Sequence, residues 1–319
     1  MSRRQLLSTA DVSRPFLIDT DTASDDAVAL LMALRHPEAD VRAITVVAGN
    51  VSLDQAVQNA LYVRELAGSD VPVHSGAAQP RSGPQHLGHD VHGQDGMGDI
   101  GLLLVGRTPT GSSAVEVLID EIRARPGQVT LVTLGPLTNV AAAFERAPDV
   151  ARLLRSLVLM GGTSDAVGNV TSVAEFNIWA DVEAAALVFE SRAPITMVGW
   201  DISRKYAVFG PEDAAALRAL GTLGEFSVDI QRTLLRFALQ ETGLGGFDLP
   251  DPIAMAIALE PAIAVDVEHV HVAVERRGEL TRGQTVIDHR ARFGEANVDV
   301  VFAASRDRFI ELLHDSLRP

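Results

Sequence analysis

The sequence contains no cysteine, which excludes disulfide frameworks, thiolate metal sites and cysteine nucleophiles. Any metal must therefore be held by oxygen or nitrogen. Positive charge is also scarce, because 27 Lys and Arg residues stand against 42 Asp and Glu residues and the formal net charge is -15. A nucleic-acid-binding surface needs a basic stripe that neutralises phosphates, so we expect no nucleic-acid partner. A small or neutral ligand fits this composition better.

The N-terminal segment lacks an apolar run long enough for a signal-peptide core or a membrane span. We therefore expect a cytoplasmic protein with no membrane partner, in which residues 1–14 form a flexible leader. The 319 residues are 47% hydrophobic and 22% charged, which is ordinary for a globular protein with a real core.

Short apolar runs alternate with helical patterns along most of the chain, which predicts an α/β protein with an open, mostly parallel sheet. The predicted strands are Phe16–Ile18, Ala43–Val47, Val129–Thr133, Leu157–Met160, Ile195–Val198 and segments near Val270–Val274 and Val298–Phe302. The predicted helices are Asp26–Arg35, Leu53–Leu66, Ala114–Ala124, Leu137–Ala147, Val182–Phe189, Leu223–Leu239 and Arg306–Leu317.

Two segments interrupt this alternation. Residues 75–110 are rich in Gly, Pro and His, and a connection of that length is usually functional or disordered. Residues 240–251 are Gly-rich and follow a predicted helix. Ligands of open α/β sheets bind outside the carboxyl ends of the strands, so the loops that follow the predicted strands should converge on a site. Those loops follow Ile18, Val47, Thr133 and Met160.

The strongest chemical signal is an acidic segment between the first strand and the first helix. Its four carboxylates belong to Asp19, Asp21, Asp25 and Asp26. Like charges this close repel one another unless a cation neutralises them, and flexible coordination by many oxygens favours Ca²⁺ over Mg²⁺. A solvated acidic turn, with Asp26 at the helix N-terminus, is the structural alternative.

Three further segments supply polar groups near strand ends. Asp251-Pro252 provides a distant carboxylate at the start of a helix, or simply an N-cap followed by proline. The segment from Thr133 to Asn139 is predicted to contain a strand end, a tight turn and a helix start. Residues 160–177 bring two amides and a carboxylate, which suit sugar hydroxyls but also suit a capped polar loop.

These segments together resemble the inosine-uridine preferring nucleoside hydrolase family. They stand in the family's order over roughly residues 15–260, and the ordered set is far more specific than any one segment. The matching segments are Asp19-Thr20-Asp21 through Asp25-Asp26-Ala27, Val47-Ala48-Gly49-Asn50, Leu134-Gly135-Pro136-Leu137-Thr138-Asn139, Met160-Gly161-Gly162, Ala174-Glu175-Phe176-Asn177 and Asp251-Pro252.

The resemblance implies a Rossmann-like nucleoside hydrolase fold. Residues 15–319 would form one domain with helices on both faces of the sheet and a lid loop near residues 76–110. The implied cofactor is one Ca²⁺ at the bottom of a pocket, and the implied assembly is a homodimer or homotetramer. The implied reaction splits a ribonucleoside into ribose and free base through a metal-activated water and an oxocarbenium-like transition state.

The same resemblance assigns roles by position. The positions that match metal ligands are Asp21, Asp26, Asp251 and the backbone carbonyl of Leu134. The positions that match ribose contacts are Asp25 and Asn177 at the 2′- and 3′-hydroxyls, Asn169 and Glu175 towards the 5′-hydroxyl, and Met160 and Asn50 at the pocket wall. Asp21 also matches the base that takes a proton from the attacking water, and Asp19 is placed as support.

One departure from the family concerns the leaving base. The family carries a His directly before the second metal Asp, whereas this sequence has Pro250, which offers no side-chain proton. Two positions that are aromatic near the base in some members fall on Ala238 and Thr242. Another donor must act, and the candidates are His86, His89 and His92 of the long loop, unless these are merely exposed loop histidines. We favour His92, so the catalytic candidates are Asp21, Asn177 and His92.

Two other functions start from the same residues. A haloacid-dehalogenase-type phosphatase also presents an Asp-x-Asp after a strand, as Asp19 and Asp21 do here, but it does not explain Asp25 and Asp26. A non-catalytic nucleoside or ribose binder that lost its acid at Pro250 would have no need of the water-activating Asp21. The sequence therefore favours a nucleoside hydrolase over both.

Overall fold

The computed structural model describes residues 13–319, which contain a nine-stranded sheet and a small two-stranded sheet. The leader predicted over residues 1–14 lies outside the described residues up to position 12, and the first strand begins at Arg14. The strands are β1 (Arg14–Thr20), β2 (Ala39–Val46), β3 (Val73–Ser75), β4 (Thr130–Thr133), β5 (Ser156–Met160), β6 (Ile195–Val198), β7 (Val208–Phe209), β8 (Phe247–Asp248), β9 (Ala264–Val274), β10 (Thr285–Asp288) and β11 (Val298–Ala304).

The large sheet is open and mostly parallel, as the sequence predicts. Its strand order is β10-β9-β11-β6-β5-β4-β1-β2-β3, and only β9 and β10 at one edge run antiparallel to their neighbours. Every predicted strand segment falls on one of these strands. The sequence did not predict β3, β7, β8 and β10. β3, β7 and β8 have only two or three residues, and β10, unlike the equally short β4 and β6, is not a continuous apolar run.

Helices connect the strands and cover both faces of the sheet. Most predicted helices are present, and no helix within residues 13–319 is long and apolar enough to cross a membrane. The helices are α1 (Ser24–Arg35), α2 (Leu53–Leu66), α3 (His89–His92), α4 (Ala114–Ala124), α5 (Thr138–Arg146), α6 (Val150–Leu153), α7 (Phe176–Ala180), α8 (Val182–Glu190), α9 (Trp200–Tyr206), α10 (Pro211–Arg218), α11 (Thr222–Asp229), α12 (Arg232–Phe237), α13 (Pro250–Leu259) and α14 (Arg306–Leu317).

The single helix predicted over residues 223–239 is wrong. The segment is divided into α11, α12 and a π-helical turn over Ala238–Thr242. At the break, the buried side chain of Gln231 donates a hydrogen bond to the carbonyl of Ser24, and Gly98 packs directly on the carbonyl of Ile230. These tertiary contacts override a local sequence that favours one continuous helix.

The core consists of two layers, one on each face of the sheet. In β1, Phe16 and Ile18 pack against one layer, which includes α1, α2 and α13. Leu17 points to the other layer, which includes α4, α5 and α8. Because side chains alternate along a strand, a strand covered on both faces is apolar throughout, which is why β1 was recognisable in the sequence. Burying each such side chain stabilises the fold by about 1.5–3 kcal/mol.

The sheet places its functional loops at a topological switch point. β1 pairs with β2 on one side and with β4 on the other. The chain runs from β1 outwards to β2 and β3 and then crosses back to β4, so the strand order reverses beside β1. A crevice forms at the carboxyl ends of strands where the order reverses in this way. The acidic segment after β1, the loop after β2 and the loop after β4 therefore meet at one place.

Candidate active site

A cavity of about 330 Å³ opens at the carboxyl ends of the parallel strands. This volume lies in the range of about 300–1,000 Å³ that small-molecule sites have. The predicted site residues that line it are Asp25, Asn50, His92, Leu134, Met160, Asn169, Glu175, Asn177 and Asp251. Asp21 and Asp26 are fully buried and do not line the cavity themselves.

Two buried helices bring three carboxylates together at this cavity. Asp25 and Asp26 stand in the first turn of α1, and Asp251 stands in the first turn of α13, which packs against α1. One carboxylate oxygen from each residue lies within 4.8 Å of the others. Leu249, rather than Asp251, occupies the N-cap position of α13, so the carboxylate of Asp251 is not used as a cap.

Burial and mutual repulsion make these carboxylates hard to ionise. Burial raises the pKa of Asp25 to about 7, and the neighbouring charge of Asp248 adds to the effect. Burial, followed by the charge of Asp25, raises the pKa of Asp26 to about 6. The pKa of Asp251 is raised well above its ordinary value, first by burial and then by the charges of the other carboxylates. A cation among them would remove this cost.

The residues present fit a hard cation such as Ca²⁺. All the candidate ligands are oxygens, and Asp21 Oδ1 and Asp25 Oδ1 are buried without a hydrogen-bond partner. None of the described residues that line the cavity is Lys or Arg, so no protein cation offsets the carboxylates there. The compact group of three contains Asp25, whereas the sequence placed Asp21 among the ligands.

Two glycines hold the Asp21 carboxylate between the loops after β2 and β4. A Cβ atom at Gly49 would lie 2.1 Å from Asp21 Oδ2, and one at Gly135 would lie 2.7 Å from Asp21 Oδ1. The backbone N–H of Asn50 donates to Oδ2 at 2.6 Å. Burial and the charges of Asp26 and Asp25 raise the pKa of Asp21 well above its ordinary value. The glycines of both family segments are therefore explained by close approach to one carboxylate.

Asp19 supports these loops from below. Its Oδ1 accepts hydrogen bonds from Thr45 Oγ1 at 2.5 Å and from Asn139 Nδ2 at 2.8 Å. The side-chain oxygen of Asn139 accepts in turn from the N–H of Ala77, at the start of the long loop. Burial raises the pKa of Asp19 to about 7. Asp19 thus connects β1, β2 and α5 without lining the cavity.

An amide and a carboxylate form one polar wall of the cavity. Asn177 Nδ2 donates to the carbonyls of Leu134 and Met160, at 2.9 and 3.2 Å, which leaves its Oδ1 for a ligand. Glu175 caps α7 and accepts from the N–H groups of Gly162 and Asn177, both at 2.9 Å. Burial nevertheless raises the pKa of Glu175 to about 7. The wall is therefore rigid before any ligand binds.

Asn169 stands beside this wall, and its Oδ1 accepts a hydrogen bond from the N–H of Phe176. The carbonyl of Leu134 accepts one hydrogen bond from Asn177, which leaves one lone pair for a further ligand.

The long loop after β3 brings His92 into the cavity wall. His92 ends α3, is only 7% exposed and places Nδ1 2.9 Å from Ser24 Oγ and 3.7 Å from Asp25 Oδ1. Burial lowers the pKa of His92 to about 4. His86 also lines the cavity and contacts Trp179, with ring centroids 4.4 Å apart and ring planes tilted by 54°, whereas His89 is not among the lining residues.

Sequence reasoning missed several residues that line the cavity. They are Trp179, Trp200, Phe237 and Asp248. Asp248 lies in the Gly-rich segment over residues 240–251, and its position three residues before Asp251 was the one available signal. Ala238, Thr242 and Pro250 line the cavity as well.

Comparisons with known proteins point to one enzyme family. The family model described as inosine-uridine preferring nucleoside hydrolase matches residues 16–311. A pyrimidine-specific ribonucleoside hydrolase RihA from Shewanella sp. strain ANA-3 is 38% identical over 313 residues, which cover 96% of each chain. A plant nucleoside hydrolase structure, PpNRh1, has a TM-score of 0.88 at 32% identity and covers 95% of this chain and 98% of its own. A purine-preferring ribonucleoside hydrolase from Gardnerella vaginalis has the same TM-score and coverage at 30% identity.

Proposed function

Because this chain belongs to the inosine-uridine preferring nucleoside hydrolase family, we propose that it is a calcium-dependent enzyme that hydrolyses ribonucleosides to ribose and free base. The observation that carries the proposal is the group of buried carboxylates on α1 and α13 at a cavity whose polar wall suits a sugar. The family match over residues 16–311 also argues against the phosphatase alternative.

We assign the cation to Asp21, Asp26, Asp251 and the carbonyl of Leu134, with Asp25 beside them. When bound, Ca²⁺ offsets the charge of these carboxylates and lowers the pKa of water in the site. Asp21 is the general base, because Asn50 holds its Oδ2 while its buried Oδ1 is free to accept a proton from the attacking water.

The ribose is held by side chains whose other atoms are already fixed. Asn177 offers Oδ1 and Asp25 offers Oδ1 to the 2′- and 3′-hydroxyls. Asn169 and Glu175 lie towards the 5′-hydroxyl, and Met160 and Asn50 complete the wall. As the glycosidic bond breaks, positive charge develops on the sugar, and these preorganised oxygens stabilise it more than they stabilise the ground state.

The choice of base depends on the rest of the cavity. Relatives of this chain include a pyrimidine-specific enzyme and a purine-preferring one, so the family fold accommodates both base classes.

We further propose that the enzyme acts in cytoplasmic nucleoside salvage and assembles as a homodimer or homotetramer. Light scattering on purified protein measures the assembly.

The test is release of ribose from a panel of purine and pyrimidine ribonucleosides, with phosphate release from nucleotides as the comparison. We expect ribose release that is lost after chelation and restored by Ca²⁺. Asp21→Asn should lower kcat by about 10²–10⁴-fold with little change in KM, because a base acts in the chemical step. Asp54→Asn, on the exposed surface of α2, is the control. Full activity after exhaustive chelation, or near-normal turnover by Asp21→Asn, contradicts the proposal.

A further inference from the structure

Asp248 is a buried carboxylate in the cavity that has no role in the proposed reaction. It ends β8, is 5% exposed and lines the cavity. Its Oδ2 accepts two hydrogen bonds, from Trp200 Nε1 at 2.9 Å and from Ser203 Oγ at 2.5 Å. The side chain is therefore fixed in one orientation by two donors on α9.

The second oxygen of this carboxylate has no protein partner. Among residues 13–319, no donor makes a hydrogen bond to Asp248 Oδ1. Asp248 lines the cavity, so an oxygen of its carboxylate without a protein partner can be hydrated there, and a ligand that displaces this water must donate an N–H or O–H in its place. The free oxygen therefore points to a donor on the ligand.

The surroundings of Asp248 suit a flat base better than a sugar. Trp200, which holds Asp248, also lines the cavity with Leu234 and Phe237 of α12. β8 packs against the π-helical turn over Ala238–Thr242. Apolar and aromatic side chains stack well on planar rings, whereas the ribose hydroxyls are matched by the polar wall around Asn177.

We propose that Asp248 recognises the base, with Oδ1 accepting a hydrogen bond from an N–H of the nucleobase. The inference rests on the proposed function and adds to it the residue that reads the hydrogen-bonding edge of the base. Burial raises the pKa of Asp248, and the bonds from Ser203 and Trp200 act to lower it. A hydrogen bond from a substrate N–H would also lower the pKa of Asp248, because it stabilises the ionised carboxylate.

The variant Asp248→Asn changes one atom of this arrangement. The indole N–H of Trp200 can only donate, so the amide oxygen of the variant must take the place of Oδ2. The NH₂ group then faces the cavity. The variant keeps the support of Trp200 and Ser203 while it replaces an acceptor for the base with a donor.

The experiment compares nucleosides that carry a base N–H with analogues that lack one. Uridine and cytidine are paired with pyrimidin-2-one riboside. Inosine and adenosine are paired with purine riboside. For each nucleoside, kcat/KM is measured with wild type and with Asp248→Asn. The intrinsic reactivity of each nucleoside cancels in the ratio between the two enzymes. The test uses the pair that wild type cleaves. For the nucleoside with a base N–H, Asp248→Asn should lower kcat/KM by about 10- to 100-fold. For the analogue without that N–H, the loss should be less than about threefold. Ser203→Ala, which keeps the carboxylate, should retain the wild-type discrimination.

Equal losses for both members of a pair would show that Asp248 only holds Trp200 and Ser203, and would overturn the proposal. A second result would also overturn the proposal, namely a lower kcat/KM for every nucleoside together with an unchanged value for nitrophenyl riboside. That result would identify Asp248 as a proton donor to the leaving base. If Asp248→Asn does not fold, product inhibition of wild type decides. Hypoxanthine should then inhibit at least about tenfold better than purine, or uracil than 2-hydroxypyrimidine, and equal inhibition overturns the proposal. Wild type that releases no ribose from any nucleoside overturns the proposed function instead.

Discussion

At the scale of single residues, burial determines what His92 can do as the base leaves. Its pKa falls to about 4, so the imidazole is uncharged at neutral pH. Nδ1 is engaged with Ser24, which leaves Nε2 as the nitrogen available to a ligand. A neutral imidazole with its proton on Nε2 can donate a hydrogen bond to the departing base. We propose that His92 stabilises the leaving group in this way, without carrying an extra proton.

We predict that His92→Ala slows natural nucleosides and spares ribosides with good leaving groups. Nitrophenolate departs without protonation, so wild type should cleave nitrophenyl riboside much faster than inosine or uridine. His92→Ala should lower kcat/KM for the natural nucleosides by about 10²-fold and leave nitrophenyl riboside nearly unchanged. The control is His89→Ala, whose side chain does not line the cavity. Equal losses on both substrates would mean that His92 orders the loop or the sugar, and no loss would remove it from the mechanism.

The residues that the sequence could predict are those that stand in short segments with a chemical pattern. Asp25, Asn177 and Asp251 are of this kind, and all of them line the cavity. Trp200 and Asp248 form a hydrogen bond although they are 48 positions apart in the sequence, and the sequence around either residue does not indicate this contact. Contacts of that kind depend on how the elements pack and are visible only in the folded chain.

At the scale of elements, the site depends on two helices that are buried along most of their length. In α1, every residue from Ser24 to Ala33 is buried, and in α13 every residue from Asp251 to Leu259 is buried. Their N-terminal ends carry the partial positive charge of the helix dipole towards the carboxylates. The sequence predicted α1 well because its apolar stretch is uniform. It could not predict the break after α11, since Gly98 and Ser24 impose it from other segments.

The loops after β2 and β4 should tolerate no side chain at the glycines that contact Asp21. We predict that Gly49→Ala lowers kcat/KM by at least about tenfold, because the new Cβ would lie 2.1 Å from Asp21 Oδ2 and displace the carboxylate that we propose as the general base. Gly111→Ala is the matched control, since a Cβ there meets nothing within 4 Å. Kinetics and thermal unfolding of both variants provide the check. Unchanged activity of Gly49→Ala would mean that the position of Asp21 is not critical.

At the scale of the whole molecule, the fold concentrates negative charge in its interior. The net charge is -15, and the fully buried carboxylates of Asp21 and Asp26 lie near those of Asp25 and Asp251. Such a core gains stability from whatever neutralises it, either protons or a cation. Proton binding and cation binding are therefore alternative ways to stabilise the same region.

We predict that the chelated protein loses stability as pH rises from about 4 to 7, and that Ca²⁺ removes this loss. The folded-state pKa values of Asp25 and Glu175, about 7, and of Asp26, about 6, lie above their ordinary values of 3.8 to 4.5. Between those limits the folded protein holds more protons than the unfolded chain, so the free energy of unfolding falls as pH increases. With chelator, Tm should drop by about 5 °C or more between pH 5 and pH 8, and Ca²⁺ should restore most of the drop at pH 8. Asp26→Ala should show little response to Ca²⁺. A Tm independent of pH in chelator, or a calcium response that survives in Asp26→Ala, would contradict a cation site among these carboxylates.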